Sequence, residues 1–144
     1  QQVTLDEIEH ETLRLKYNEP RIHFVVNCAA VSCPPLRTEP IIGSRLNEQL
    51  ILAARDFLKS EEGLILEASQ INVSKIFDWY GEDFAENYAT ISKLKRPIKE
   101  KAILGVVSSY GPTKAAKIAA SKQVEIEFLR YDWTLNDLSD TNPH

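Results

Sequence analysis

The 144-residue chain lacks methionine and contains only two cysteines and five glycines. Because Gly43 stands alone in its loop, we expect no glycine-rich phosphate-binding loop. Two cysteines permit one disulfide at most, which excludes a disulfide framework and leaves the redox compartment open. Long apolar runs are also missing. A spanning helix needs roughly 20 apolar residues, so we expect no membrane span.

The charge balance of the chain is mild, with a net charge of -4. A nucleic-acid-binding protein presents a clustered basic face, so we expect no nucleic-acid partner. The densest basic run, residues 93–101, is better interpreted as a solvated segment between helices. A hydrophobic content of 43% and a charged content of 26% are typical of an ordinary globular protein that can bury a core.

The absence of methionine and the initial Gln1 indicate a processed or excised piece, from which a targeting segment could have been removed. The compartment is therefore unknown. Removal of an upstream signal would favour a periplasmic or secreted location. We expect one domain over residues 1–137 and a polar, frayed tail over residues 138–144.

Hydrophobic periodicity predicts an α+β domain. Thr4 and Glu7 form a capping box ahead of a predicted helix over residues 5–16. Residues 22–28 alternate like a largely buried strand, and Ser44 begins the clearest helix. Further predicted strands are residues 64–67, 71–73 and 124–128, and further predicted helices are residues 86–94, 98–109 and 113–121. These elements predict a small mixed sheet with several packed helices.

Residues 21–36 gather most of the groups that are able to do chemistry. On the predicted strand, Cys28 shares the apolar face and is expected in the core, whereas His23 points to the opposite face. Cys33 follows in a loop, before Pro34. A helical turn beginning there would offer free amides that lower the pKa of the thiol. We therefore predict Cys33 as a nucleophile and His23 as its general base.

A catalytic cysteine needs an imidazole within hydrogen-bond reach and a third group that orients the imidazole. The candidates for that third group are Glu9, His10, Asn27 and Asp132. Backbone amides near Cys33 would supply an oxyanion hole. In the opposing interpretation, a buried cysteine is an inert small hydrophobe and the strand histidine is structural.

Two further interpretations use the same sulfur atoms. His10, His23, Cys28 and Cys33 offer nitrogen and sulfur ligands that suit zinc, but their spacing gives a metal site little support. Cys28 and Cys33 could instead form a disulfide that closes a short loop. Cys33 would then react only after reduction. We predict no metal site and no cofactor.

Residues 77–84 combine four aromatic side chains with three carboxylates. Such a segment could line a substrate groove, or its aromatic rings could pack in the core with the carboxylates in water. For the first interpretation, the predicted substrate-binding residues are Trp79 and Tyr80, together with Asn27.

Several motifs occur in an order that resembles one known family. They are Leu5-Asp-Glu-Ile-Glu-His10, Pro20-Arg-Ile-His-Phe24, Cys28 with Ser32-Cys-Pro-Pro-Leu36, Ile76-Phe-Asp-Trp-Tyr80 with Asp83-Phe84, and Tyr131-Asp-Trp-Thr-Leu-Asn136. The ordered set is similar to the domain-of-unknown-function family 547 of bacteria and plants. The resemblance runs across nearly the whole chain.

The resemblance implies a cysteine-peptidase-like protein with a permuted papain-like fold. Glu9, His23 and Cys33 fit the order of its glutamate, histidine and cysteine. It implies cleavage of peptide or amide bonds, or acyl transfer, on a peptide or protein substrate. Family members usually carry an upstream helical segment that is missing here, so we expect an N-terminally truncated domain whose partner is that segment. The alternative function is a non-enzymatic binding or scaffold domain with the same fold.

Overall fold

A computed structural model describes residues 2–137, and the predicted tail, residues 138–144, lies outside the described residues. Residues 5–17 form one helical segment, called here the N-terminal helix. It contains a π-helical stretch, Glu7–Arg14, that continues into α1 (Leu15–Tyr17). The predicted helix and its capping box are confirmed. The Glu7 amide donates to Thr4 Oγ1 over 3.1 Å, and the Thr4 amide donates to a Glu7 carboxylate oxygen over 2.7 Å.

The strand predicted over residues 22–28 is wrong. The chain instead forms a 3₁₀ helix, Pro20–Phe24, followed by an irregular loop. Proline suits the first helical position because its backbone angle is already helical. The Glu19 side chain accepts a hydrogen bond from the Arg21 amide at the helix start. Strand alternation therefore does not apply, and the last three residues of this helix are all buried.

The later predicted elements appear in order with shifted ends, together with two helices, residues 76–80 and 81–84, that were not predicted. They are a 3₁₀ turn Gly43–Arg45, α2 (Leu46–Lys59), β1 (Leu64–Leu66), β2 (Gln70–Val73), α3 (Ile76–Tyr80), a 3₁₀ helix Gly81–Phe84, α4 (Ala85–Tyr88), α5 (Ile98–Tyr110), α6 (Ala115–Ala119) and β3 (Glu125–Phe128). The helix predicted over residues 86–94 is shorter: α4 ends at Tyr88, and the Ile91 amide then closes a turn on the Tyr88 carbonyl over 3.1 Å. Within residues 2–137, no helix is both long enough and apolar enough to cross a membrane.

The three strands form one mixed sheet in the order β1-β2-β3. β1 and β2 are antiparallel, with Leu64 opposite Val73. β2 and β3 are parallel, with Gln70 opposite Glu125. A small mixed sheet surrounded by helices confirms the predicted α+β class.

The 3₁₀ helix Pro20–Phe24 is anchored to the core through Phe24, which is 1% exposed. The Phe24 ring lies 5.9 Å from Phe57 of α2, 6.0 Å from Phe77 of α3 and 5.6 Å from Phe84, between ring centroids. Tilted aromatic rings at these separations attract each other beyond the gain from burial. Because Phe24 is fixed among these rings, the adjacent residue His23 has a fixed position as well.

Candidate catalytic cleft

The side chains predicted to form the site converge on one cleft of about 620 Å³. Its lining includes all six predicted side chains: Glu9, His23, Asn27, Cys33, Trp79 and Tyr80. The N-terminal helix, the 3₁₀ helix Pro20–Phe24, the loop after it and α3 each contribute side chains. This shared location is the geometric basis of the candidate site.

The two cysteines form a disulfide, with their Cα atoms 6.0 Å apart. Cys33 is buried, with 7% of its surface exposed, whereas Cys28 is exposed. The predictions that Cys28 lies in the core and that Cys33 is a free loop thiol are therefore wrong. The cause is that the chain before Cys28 is helical and then irregular, so its side chains do not alternate between two faces. The disulfide alternative describes this structure.

Asn27 shapes the loop that carries the disulfide. Its side-chain nitrogen donates to the Pro34 carbonyl over 2.7 Å, and its side-chain oxygen accepts from the Ala29 amide over 2.8 Å. This second contact supports the left-handed backbone of Ala29, whose φ is 61°. Because the loop engages both ends of the amide, the substrate-binding role of Asn27 stays a prediction. Residues 33–36 form no helical turn, so the predicted cap at Cys33 is wrong.

Backbone amides near Cys33 are also engaged. The Cys33 amide donates to the Ala30 carbonyl over 3.1 Å, and the Ser32 amide donates to the Asp132 carbonyl over 3.2 Å. These two amides therefore do not form the predicted oxyanion hole. The Cys28 amide donates instead to Cys33 Sγ over 2.7 Å, so a backbone donor already faces the buried sulfur.

His23 lies in the cleft wall and is 4% exposed. Its Nε2 lies 2.9 Å from Asp83 Oδ2, and its ring stacks on Tyr80 with centroids 4.3 Å apart and planes 11° apart. Burial lowers the pKa of His23, and the charge of Arg14 lowers it further, although the hydrogen bond with Asp83 raises it. The imidazole is therefore neutral near pH 7, as a general base must be.

Asp83 links His23 to the N-terminal helix. Arg14 Nε donates to Asp83 Oδ2 over 2.5 Å, and an Arg14 Nη atom donates to Asp83 Oδ1 over 3.0 Å. Burial alone would raise the pKa of Asp83, but the hydrogen bonds from Arg14 and His23 outweigh it and hold that pKa below its ordinary value. An ionised Asp83 accepts from Nε2–H of His23, which fixes the ring and its tautomer.

The carboxylate bonded to His23 is not one of the predicted orienting residues. Glu9 lines the cleft and acts on His23 through its charge, without a hydrogen bond to it among residues 2–137. His10 lies beside a carboxylate of its own helix, and Asp132 caps a local turn. Asp83 is 60 residues from His23 along the chain, and the sequence presents it only as part of the Asp83-Phe84 motif. Spacing along the chain gave no signal that the two side chains meet.

An aromatic cluster of Trp79, Tyr131 and Trp133 forms one side of the cleft. Their ring centroids lie 4.5 to 5.5 Å apart. The Tyr131 hydroxyl is 3.3 Å from Cys28 Sγ. Burial raises the pKa of Tyr131, so this hydroxyl remains a donor at neutral pH. Tyr131 and Trp133 were absent from the predicted site, although both stand in the Tyr131-Asp-Trp133 motif.

The zinc interpretation finds no support in this geometry. Its two sulfur ligands, Cys28 and Cys33, are bonded to each other and are not free thiolates. Within the described part of the chain, no three or more His, Cys, Asp or Glu side chains are grouped so as to hold a metal ion. His10 and His23 both line the cleft, where they accompany aromatic and apolar side chains.

Residues 1–58 match a family described as "Protein of unknown function, DUF547". No curated protein and no solved structure matches the chain. The matched segment contains Glu9, His23 and both cysteines, whereas Asp83 and the aromatic cluster lie beyond it. The resemblance drawn from the motifs is confirmed over residues 1–58, and it stays a prediction for the rest of the chain.

Proposed function

We propose that the chain, once its disulfide is reduced, is a cysteine hydrolase that cleaves peptide or amide bonds or transfers acyl groups. The observation that carries this proposal is the hydrogen bond, 2.9 Å long, between the half-buried Asp83 carboxylate and the buried His23 ring, which lines the same cleft as Cys33. A thiol, an imidazole and an orienting carboxylate are the parts that nucleophilic catalysis requires. The proposal extends the family to the whole chain and relates its fold to permuted papain-like peptidases.

In this proposal each nitrogen of His23 has its own task. Nε2–H donates to Asp83, so Nδ1 is the nitrogen that takes the proton of the reduced Cys33 thiol. The Cys33 thiolate then adds to the substrate carbonyl, and the imidazolium returns its proton to the leaving amine as the thioester forms. Water, deprotonated by the same nitrogen, hydrolyses the thioester and regenerates the thiol. Another amine or alcohol in place of water gives acyl transfer.

Tyr131 is the side chain in this proposal that stabilises the oxyanion. Its hydroxyl is protonated at neutral pH and lies 3.3 Å from Cys28 Sγ, the sulfur bonded to Cys33 in the oxidised state. After reduction, a substrate carbonyl that is attacked by Cys33 lies near the Tyr131 hydroxyl. Removal of one such donor typically costs about 10²-fold or more in kcat.

The test uses the fully reduced protein and measures alkylation of each cysteine by iodoacetamide against pH. Cys33 is expected to react faster than free cysteine at pH 6, because His23 holds its proton as an ion pair with the thiolate. Asp83→Asn is expected to move this pH profile towards that of free cysteine. A Cys33 that reacts no faster than free cysteine at pH 6 contradicts the proposal.

A matched pair of variants separates the two sulfurs. Cys33→Ser is expected to abolish the burst of p-nitrophenolate from p-nitrophenyl acetate, whereas Cys28→Ser is expected to keep the burst and to make it independent of reductant. Circular dichroism of both variants checks that the fold is retained. If Cys28→Ser loses the burst and Cys33→Ser keeps it, Cys33 is not the nucleophile.

One observation favours the second candidate function, a binding domain without catalysis. Trp79 and Trp133 remain 42% and 66% exposed beside the cleft, while Cys33 is buried and disulfide-bonded. Exposed aromatic rings at a cleft commonly bind a partner. Quenching of tryptophan fluorescence by peptides, unchanged in Cys33→Ser and without any burst in the reduced protein, would favour binding over hydrolysis.

A further inference from the structure

The two sulfurs of the disulfide differ in how a reagent can reach them. Cys28 is exposed, whereas only 7% of the Cys33 surface is accessible. Thiol–disulfide exchange begins when a thiolate attacks one sulfur, and access decides which sulfur is attacked. An incoming thiolate can therefore meet Cys28 Sγ far more readily than Cys33 Sγ.

The hydrogen bonds at the disulfide favour the same direction of attack. The Cys28 amide donates to Cys33 Sγ over 2.7 Å, a shorter contact than the 3.3 Å between the Tyr131 hydroxyl and Cys28 Sγ. A donor to sulfur stabilises its thiolate form and lowers its pKa, and a sulfur of lower pKa leaves faster. Cys33 is thus the better leaving group. Its thiolate then lines the same cleft as His23.

We propose that the cleft carries out thiol–disulfide exchange in one fixed direction, in which an aliphatic thiolate attacks Cys28 Sγ and Cys33 leaves as a thiolate. This deepens the proposed function, because the exchange is the step that releases its nucleophile. The proposed exchange nevertheless rests on the two sulfurs of the disulfide alone. It therefore holds whether or not the reduced protein hydrolyses a substrate.

The exchange balances with two equivalents of thiol. The first thiolate forms a sulfur–sulfur bond to Cys28 as the Cys28–Cys33 bond breaks, and the electron pair of the broken bond stays on Cys33. A second thiolate attacks the sulfur of the attached thiol, which releases Cys28 and a symmetrical disulfide. Two thiols are oxidised and one disulfide of the chain is reduced.

The source of the thiolate can be a small molecule or a cysteine of another protein, and we take the small molecule because Cys28 lines a cleft of about 620 Å³, a size typical of small-molecule sites. Its walls carry the Glu9 carboxylate, and within residues 2–137 no lysine or arginine lines the cleft. Negative charge in the wall slows an anionic thiol relative to a cationic one of equal thiolate content. Cysteamine is therefore expected to react faster than glutathione at matched thiolate concentration, and Glu9→Gln is expected to narrow the difference.

The decisive experiment maps which cysteine acquires the thiol. Folded, oxidised protein is mixed briefly with glutathione, free thiols are trapped at once with N-ethylmaleimide, and both adducts are located by tandem mass spectrometry. We expect glutathione on Cys28 and maleimide on Cys33, in excess over the reverse arrangement by about tenfold or more. Equal amounts of the two arrangements, or an excess of the reverse, overturn the proposal. So does maleimide labelling of both cysteines before any thiol is added.

The same experiment in urea is the matched control. Unfolding removes the difference in exposure, so the preference for Cys28 is expected to disappear. A preference of the same size in urea would assign the direction to local sequence and would overturn a role for the cleft.

A dithiol protein run in parallel decides between a small molecule and a protein as the source of the thiolate. Faster reaction with this protein than with cysteamine overturns the small-thiol assignment. Neither arm uses a hydrolase substrate, so a failed burst assay and a failed exchange assay are separate results.

Discussion

Helix α5 and the N-terminal helix are both 13 residues long, yet the chain holds them in opposite ways. α5 buries six consecutive residues, 102–107, against α4, α6 and α2. None of residues 5–17 is buried, and Leu5 and Leu15 are 85% and 74% exposed. The N-terminal helix is joined to the rest of the domain by polar contacts, of which the bidentate pair of Arg14 and Asp83 is the most important for the cleft.

The comparison shows that the cleft has one rigid support and one loosely held wall. Apolar burial stabilises α5 and the sheet, and it fixes Phe24 and therefore His23. The Arg14–Asp83 pair fixes the other side of the imidazole and at the same time holds the N-terminal helix in place. We expect substitutions in α5 to unfold the whole domain, and substitutions at Arg14 to disturb only the cleft.

Gly105 of α5 gives the largest expected effect. A Cβ added there would lie 2.1 Å from the Tyr88 carbonyl oxygen of α4, whereas a Cβ added at Gly43 meets nothing within 4 Å. Gly105→Ala must push two helices apart and is expected to cost about 4 kcal/mol or more of the free energy of unfolding. Gly43→Ala is expected to change it by less than about 0.5 kcal/mol. Urea denaturation measures both, and similar stabilities for the two variants would contradict the tight packing of α5.

The same Leu→Ala substitution, made once in α5 and once in the N-terminal helix, tests the comparison between the two helices. Leu104 in α5 is fully buried, and Leu15 in the N-terminal helix is 74% exposed. Leu104→Ala leaves a cavity and is expected to cost about 2–5 kcal/mol. Leu15→Ala is expected to cost less than about 0.5 kcal/mol. The free energy of unfolding in urea is again the measurement, and a large loss in Leu15→Ala would show that the N-terminal helix is packed more firmly than its exposure indicates.

The sequence predicted the rigid part of the molecule better than the site. The helix beginning near Ser44 and the strands around residues 64–73 and 124–128 follow from apolar periodicity, which reports burial directly. Residues 22–28 failed because a short apolar run satisfies a strand pattern and a buried 3₁₀ helix equally well. There the preference of Pro20 for a helix start and the anchoring of Phe24 in the core decided the outcome.

The candidate site was predicted in its members but not in its contacts. Glu9, His23 and Cys33 share the cleft, yet the hydrogen-bonded partner of His23 is Asp83, from the other half of the chain. A contact across 60 residues depends on how the elements pack, and single-sequence spacing contains no information on that. The exposure of Cys28 and the burial of Cys33 were missed for the same reason as the strand.

Arg14 tests whether the N-terminal helix is loosely held. Arg14→Ala removes both hydrogen bonds to Asp83, and since the pair is partly exposed the loss is expected to be about 1 kcal/mol. Amide exchange in residues 5–17 is expected to accelerate roughly fivefold, and exchange in α5 is expected to stay unchanged. The pKa of His23 is expected to rise, because the Arg14 charge lowers it.

Arg14→Lys is the matched control for this variant. It keeps the positive charge but cannot form the planar two-bond contact. It is expected to accelerate exchange in residues 5–17 while moving the pKa of His23 less than Arg14→Ala does. Equal acceleration in residues 5–17 and in α5 would contradict the separation between the two regions.

The smallest expected effect is the pH dependence that His23 contributes to stability. Its pKa in the folded chain lies below the ordinary value of about 6.5, so as pH falls through 6.5 the unfolded chain takes up a proton before the folded one. The free energy of unfolding is therefore expected to decline from about pH 7 down to the folded pKa of His23. His23→Gln keeps a donor for Asp83 without titrating in this range, so urea denaturation should show a flatter decline in that variant. Equal slopes in wild type and His23→Gln would mean that burial does not hold the imidazole neutral.

Below about pH 4, protonation of Asp83 weakens its bonds to Arg14 and His23, so amide exchange in residues 5–17 should accelerate before exchange in α5 does.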